Sequence, residues 1–312
     1  MSVLFTFPGQ GAQKPGMLHA LPDHPETART LDEATAALGR DALALDCAGA
    51  LRSTVAVQLA LLVAGVAFAR VLAAHGAAPH MVAGLSIGAW PAAVVAGVLD
   101  FPDAVRLVQL RARLMEEAYP SGYGMTAIGG LTRQQLEPLL AQVRGPDAPV
   151  YLANLNAPRQ LVIAGRAAAL DAVAALALAH GASRAERLAV PVPSHCALLD
   201  EQAHALARAA AQVARRRPRI TWISSSAARV LFDGDRIVAD LAANMARPVL
   251  WADTLRHAWE RGARIAVEMP SGSVLTRLAQ DADFGAGTAL CADGNRLDTL
   301  VRAANADQQP GR

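Results

Sequence analysis

Gly84-Leu85-Ser86-Ile87-Gly88 follows the apolar run His80-Met81-Val82-Ala83 and precedes an Ala/Val run that reaches Gly97. Strand, sharp turn and helix account for that pattern. It is the G-x-S-x-G form of a nucleophile elbow, whose glycines let strand and helix approach so closely that a serine hydroxyl stands out on a strained turn. The pentapeptide alone is only moderately specific; its placement between a strand and a helix adds to it. The plainer alternative is a serine that caps the helix of an ordinary turn.

Working outward, Val3 to Phe7 reads as a short apolar strand running into Pro8-Gly9-Gln10-Gly11, a turn whose backbone N–H groups can face a ligand. A helix from about Pro102 to Ala118 carries Arg106, Arg111 and Arg113, and Pro120 to Gly124 breaks it. From Met125 to Ala197 the texture changes. Strands are expected at Met125 to Ile128 and Leu161 to Ile163, with helices near Thr132 to Val143 and Ala167 to His180. That is a small α/β insert. After Pro193 a long helix, strands at Ile220 to Ser224 and Arg264 to Glu268 and a final helix from Ser273 restore parallel-sheet texture. The expected organisation is an α/β fold: a large unit over residues 1–124 and 199–312, and a small insert over 125–198.

A chain of 312 residues, 53% hydrophobic and 18% charged, suits a compact enzyme-sized globule. The start lacks the basic head and apolar run of an export signal, with Pro8, Gly9 and Gly11 arriving almost at once. Val55 to Ala74 is apolar enough to suggest a membrane span, but Gln58 and Arg70 interrupt it, so it reads as a doubly buried helix. Cys47, Cys196 and Cys291 show neither disulfide nor zinc spacing, and a reducing cytoplasm fits. A net charge of +2 does not suggest nucleic-acid binding. Arg215, Arg216, Arg217 and Arg219 form the one basic cluster, read as a solvated helix C-terminus stopped by Pro218, with a landing patch for an acidic protein as the sharper alternative.

A serine hydroxyl needs a base within hydrogen-bond reach. Of eight histidines, His195 alone lies in a stiffened loop, Val190-Pro191-Val192-Pro193-Ser194-His195-Cys196. An oxyanion hole needs backbone donors; the residue after the serine, Ile87, commonly supplies one, and Gln10 is the candidate for the other. Arg111 taken alone reads as a surface residue of Gln109-Leu110-Arg111-Ala112-Arg113.

Phe7 to Gly11, the elbow, Gln109 to Met115, Asn154-Leu155-Asn156, Val192 to His195 and Arg247-Pro248-Val249-Leu250-Trp251 occur together in one order. In that order they resemble the malonyl-CoA:acyl-carrier-protein transacylases over nearly the whole chain. The resemblance implies an α/β-hydrolase-like parallel-sheet core with a ferredoxin-like insert. It makes Ser86 the acylated nucleophile, His195 its base, Gln10 and Ile87 the oxyanion donors and Arg111 the grip on the malonyl carboxylate. It places Asn154 and Met115 near the acyl pocket, and it gives the orienting of His195 to the main-chain carbonyl of Leu250. It implies malonyl-CoA and an acyl carrier protein as substrates, with no bound cofactor or metal. A serine thioesterase is the rival, normally with an acid between serine and histidine; Asp103, Glu116 and Asp171 are the candidates.

Around the elbow the chain departs from the family's usual form at Leu85, Ala89 and Trp90, and Met269-Pro270-Ser271-Gly272 replaces its usual Gly-Pro-Gly. Gly84 to Pro91 resembles the transacylase subunit, epsilon, of bacterial biotin-independent malonate decarboxylase. The carrier expected on that ground is the decarboxylase's own small subunit; a fatty-acid or polyketide carrier is the alternative.

Overall fold

A computed structural model of the chain describes residues 2–281 and 284–306. Among the described residues ten strands occur in chain order: β1 Ser2–Phe7, β2 Met81–Gly84, β3 Tyr123–Gly129, β4 Val150–Ala157, β5 Gln160–Arg166, β6 Arg184–Arg187, β7 Thr221–Ser224, β8 Arg229–Leu231, β9 Ala263–Glu268 and β10 Thr288–Cys291. Six form the main sheet in the order β10-β9-β1-β2-β7-β8. All its pairs are parallel except β7 with β8, which closes one edge.

Parallel strands need helical crossovers, and those helices cover both faces of the sheet. The apolar helix Thr54–Ala74 is one of them, joining β1 to β2 with nearly all of its side chains buried. It is the one helix among the described residues long and apolar enough to cross a membrane, yet 89% of its most apolar stretch is inside the protein. β2 is buried at every position, as expected of a central parallel strand. Because Phe7 lies opposite Gly84, β1 and β2 end together. The turn at Gly9 and the elbow at Ser86 therefore share one edge, where open parallel sheets bind ligands.

The other four strands form an antiparallel sheet in the order β4-β5-β3-β6. Helices Arg133–Val143 and Ala167–Ala179 complete a β-α-β-β-α-β sequence, the order of a ferredoxin-like unit. Strand alternation gives β5 two faces: Leu161 and Ile163 join Ile128, Leu136 and Leu170 in a local core, whereas Val162 and Ala164 join the main one.

The basic cluster corrects its sequence reading. The helix expected to end there, Asp200–Ala210, stops before it. Arg216 instead makes a two-pronged pair with Asp100 at 2.8 and 2.8 Å, Arg215 pairs with Asp235, and the guanidinium of Arg219 packs against Gly97. Ion pairs across the chain, not a helix dipole, place Arg215 and Arg216.

Candidate active site

The elbow is built by close approach of three backbones. Leu85 N donates to Phe7 O at 3.0 Å, tying the turn to the end of β1. A Cβ on Gly84 would lie 2.0 Å from the Gly88 carbonyl carbon, and one on Gly88 would lie 2.0 Å from Phe7 O. Only glycine fits either position. Between them Ser86 takes φ +56°, a left-handed conformation that costs a non-glycine residue energy and recurs at functional turns.

The second strained residue is His195, at φ +66°. Its N–H donates to Met245 O at 2.6 Å, and its ring Nε2 lies 2.8 Å from Ser86 Oγ. On the other side of the ring, Nδ1 lies 2.8 Å from Asn244 O and 3.2 Å from Arg247 O. Carbonyls only accept, so Nδ1 carries the proton and Nε2 is left to accept from the serine. Burial, with the nearby charge of Arg111, draws the imidazole down to about 4, although the two carbonyls oppose the shift. The ring is therefore neutral at physiological pH, the state a base needs.

Here the structure corrects the role expected for Leu250. Its carbonyl accepts from Thr254 N at 2.9 Å and Thr254 Oγ1 at 2.7 Å, at the start of helix Trp251–Glu260. The orienting carbonyls belong to Asn244 and Arg247. The acids weighed for a thioesterase are engaged elsewhere: Asp103 with Arg106, Glu116 with Ser53 and Thr54, Asp171 with Arg187. None of the three meets His195.

Arg111 is fully buried, against the surface reading that its local sequence invites. Nη1 donates to Gln58 Oε1 at 2.5 Å; Nη2 donates to Ser86 Oγ at 3.3 Å and faces Asn244 Oδ1 at 3.5 Å. Burial draws the guanidinium down to about 9, so it keeps its charge at neutral pH. Among the described residues no carboxylate pairs with it. A buried, unpaired cation beside a serine hydroxyl is a site for an anion.

Gln58 and Asn244 are site residues that the sequence reading missed. Gln58 had a visible signal, a lone amide in an otherwise apolar stretch; it also donates to Met115 Sδ at 3.5 Å, placing Met115 behind it. Of the two residues expected as oxyanion donors, Ile87 directly follows the serine in the chain, and Gln10 follows Gly9, where a Cβ would lie 3.6 Å from Ser86 Cβ. Asn154 lies in β4, whose neighbours Ala153 and Leu155 bond Val249 at 2.9 and 2.8 Å. Its side chain makes no hydrogen bond to Ser86, His195 or Arg111, and its Oδ1 is buried without a partner among the described residues. Trp90 and Ala89 are buried in the main core, and Ser271 Oγ donates to Ala12 O at 2.6 Å, tying the Met269–Gly272 segment to the turn after β1.

Residues 4–287 match the acyl transferase domain family. The malonyl CoA-acyl carrier protein transacylase of Escherichia coli O157:H7 is 40% identical over 287 residues, covering 88% of this chain and 91% of that protein. This chain belongs to the malonyl-CoA:acyl-carrier-protein transacylase family. The transacylase of Bacillus subtilis strain 168 is 31% identical over 305 residues, 96% of each chain. Among solved structures, the transacylase of Coxiella burnetii superposes with a TM-score of 0.92 at 33% identity, covering 98% of this chain and 97% of that one. A malonyl-transacylase in complex with a type II polyketide acyl-carrier protein superposes with 0.90 at 35% identity, covering 98% and 100%. The chain is thus an acyltransferase, in a family that uses coenzyme A thioesters and needs no cofactor.

Proposed function

We propose that this transacylase carries malonyl on Ser86, taking it from malonyl-CoA and giving it to the thiol of an acyl carrier protein. The observation that supports this best is the trio at its centre: His195 Nε2 2.8 Å from Ser86 Oγ, and the buried Arg111, paired with no carboxylate among the described residues, 3.3 Å from the same oxygen. Ser86 Oγ attacks the thioester carbonyl as its proton passes to Nε2, and the backbone N–H groups of Gln10 and Ile87 meet the developing oxyanion. The C–S bond breaks and coenzyme A leaves with the proton from His195. The carrier thiol then gives its proton to Nε2 and attacks the malonyl ester, and Ser86 Oγ recovers the proton as it departs. Arg111 holds the free carboxylate through both halves. Ser86 is only 8% exposed, which limits the access of bulk water to its ester.

In this reading the core is hydrolase-like, with the nucleophile at the end of a parallel strand, and the unit inserted over 125–198 roofs the cleft. Three free cysteines suit the cytoplasm. A carrier of fatty-acid or polyketide synthesis is the partner that the relatives support. The malonate decarboxylase carrier is the second reading, supported by Leu85, Ala89 and Trp90. Malonyl-loaded protein, freed of coenzyme A, should discharge to a phosphopantetheine-bearing carrier of the first kind. Faster discharge to the decarboxylase carrier would reverse the order of the two. Release as free malonate ahead of either would defeat the transferase reading.

A further inference from the structure

Asn244 serves the site twice. Its backbone carbonyl holds His195 Nδ1, and its side chain, fully buried, faces Arg111. A guanidinium has only donors, so the amide oxygen must be the atom turned toward it, as observed. The other end of the amide, Nδ2, is then a buried donor, and among the described residues it has no acceptor. Arg111 Nε is in the same condition. Buried polar groups are nearly always paired, and two orphaned donors on adjacent side chains next to a nucleophile point to an acceptor brought by the ligand.

We infer that Asn244 Nδ2 donates to the carboxylate of the acyl group, making the side-chain amide a second specificity group beside Arg111. This rests on the malonyl reading above. A carboxylate offers two oxygens with about four lone-pair sites, enough to take the guanidinium and the amide together. An acetyl group offers neither oxygen and would leave both donors unpaired, so the amide discriminates between acyl groups as well as binding one. Gln58 accepts from Nη1, and Ser86 Oγ and Asn244 Oδ1 accept from Nη2, so Nε is the guanidinium nitrogen that has no acceptor among the described residues.

The two roles of Asn244 can be separated. Its N–H bonds Asp240 O at the end of helix Gly234–Ala243, which fixes the main chain independently of the side chain. Asn244→Ala and the isosteric Asn244→Asp therefore keep the carbonyl that orients His195. The aspartate, in addition, places a carboxylate of its own on Arg111.

Wild type, Asn244→Ala and Asn244→Asp would each be offered malonyl-CoA and acetyl-CoA in competition, and Ser86 loading read by intact mass. Both variants should lower the malonyl-to-acetyl ratio by about tenfold or more, with a raised KM for malonyl-CoA. Acetyl loading shows in the same spectrum that each variant is folded, and the isosteric aspartate decides the matter if the alanine variant is not. A ratio within twofold of wild type in the folded variants would overturn the inference while leaving the malonyl reading intact. A wild type that takes no malonyl would overturn both.

Discussion

Replacing His195 by Ala is expected to slow malonyl loading of Ser86 by about 10³-fold. The serine proton has one acceptor in the site, Nε2 at 2.8 Å; its other polar neighbour, Arg111, only donates. Without the imidazole the hydroxyl must attack undeprotonated, and coenzyme A must leave without an acid. The same residue sets the pH dependence. Burial disfavours the imidazolium and the Arg111 charge disfavours it further, drawing the ring down to about 4. The base is therefore neutral, and active, above that value. The loading kcat/KM should stay level from neutral pH down to about 5 and fall tenfold per pH unit below about 4. Once a malonyl carboxylate neutralises Arg111, the smaller of the two depressing causes is removed while burial remains, so the acid limb of kcat should lie at somewhat higher pH than that of kcat/KM. Rapid-quench mass spectrometry across pH 3–8 measures both limbs. A residual rate in His195→Ala near that of wild type, or an acid limb that persists in it, would remove His195 from the chemistry.

The second large effect is on folding. Gly88→Ala is expected to cost about 4 kcal/mol, because the new Cβ would lie 2.0 Å from Phe7 O and 2.8 Å from Pro8 O. Both neighbours are main chain and neither can rotate away. Separating the elbow from β1 would also lengthen the Leu85 to Phe7 bond and move Gln10 from Ser86, so activity should fall along with stability. Gly145→Ala is the control: its Cβ would meet nothing within 4 Å, and it should change stability by less than about 0.5 kcal/mol. Urea unfolding of the three proteins measures the difference, and equal midpoints would show that the elbow tolerates a side chain.

The parts of the site that were legible in the sequence are those made locally. The elbow is a strand, two glycines and a helix within about fifteen residues, and the stiff loop carrying His195 announces itself through Pro191 and Pro193. The parts that were not legible depend on long-range placement of groups with no pattern of their own. A backbone carbonyl has no residue type, so nothing in Asn244 marks it as the partner of a histidine 49 positions earlier. Of the two carbonyls at His195, the nearer, Asn244 O, lies before Arg247-Pro248-Val249-Leu250-Trp251 and only Arg247 O lies within it, while Leu250 lends its carbonyl to the next helix. Arg111 sits in a run that looks solvated, and only the fold turns that one arginine inward. Among the strands, β4 hides behind the polar Asn154 and Asn156, and β6 reads Arg-Ala-Glu-Arg with three of its four residues exposed. An edge strand held by backbone pairing to β3 needs no apolar alternation.

The measurement that tests the central claim most directly is the intact mass of wild type and Ser86→Ala after brief exposure to malonyl-CoA. Ser86 as the acyl carrier of the reaction predicts one added malonyl group on wild type, lost on addition of a holo carrier, and none on Ser86→Ala. A malonyl adduct of equal yield on Ser86→Ala, or none on wild type while the carrier still becomes malonylated, would contradict it.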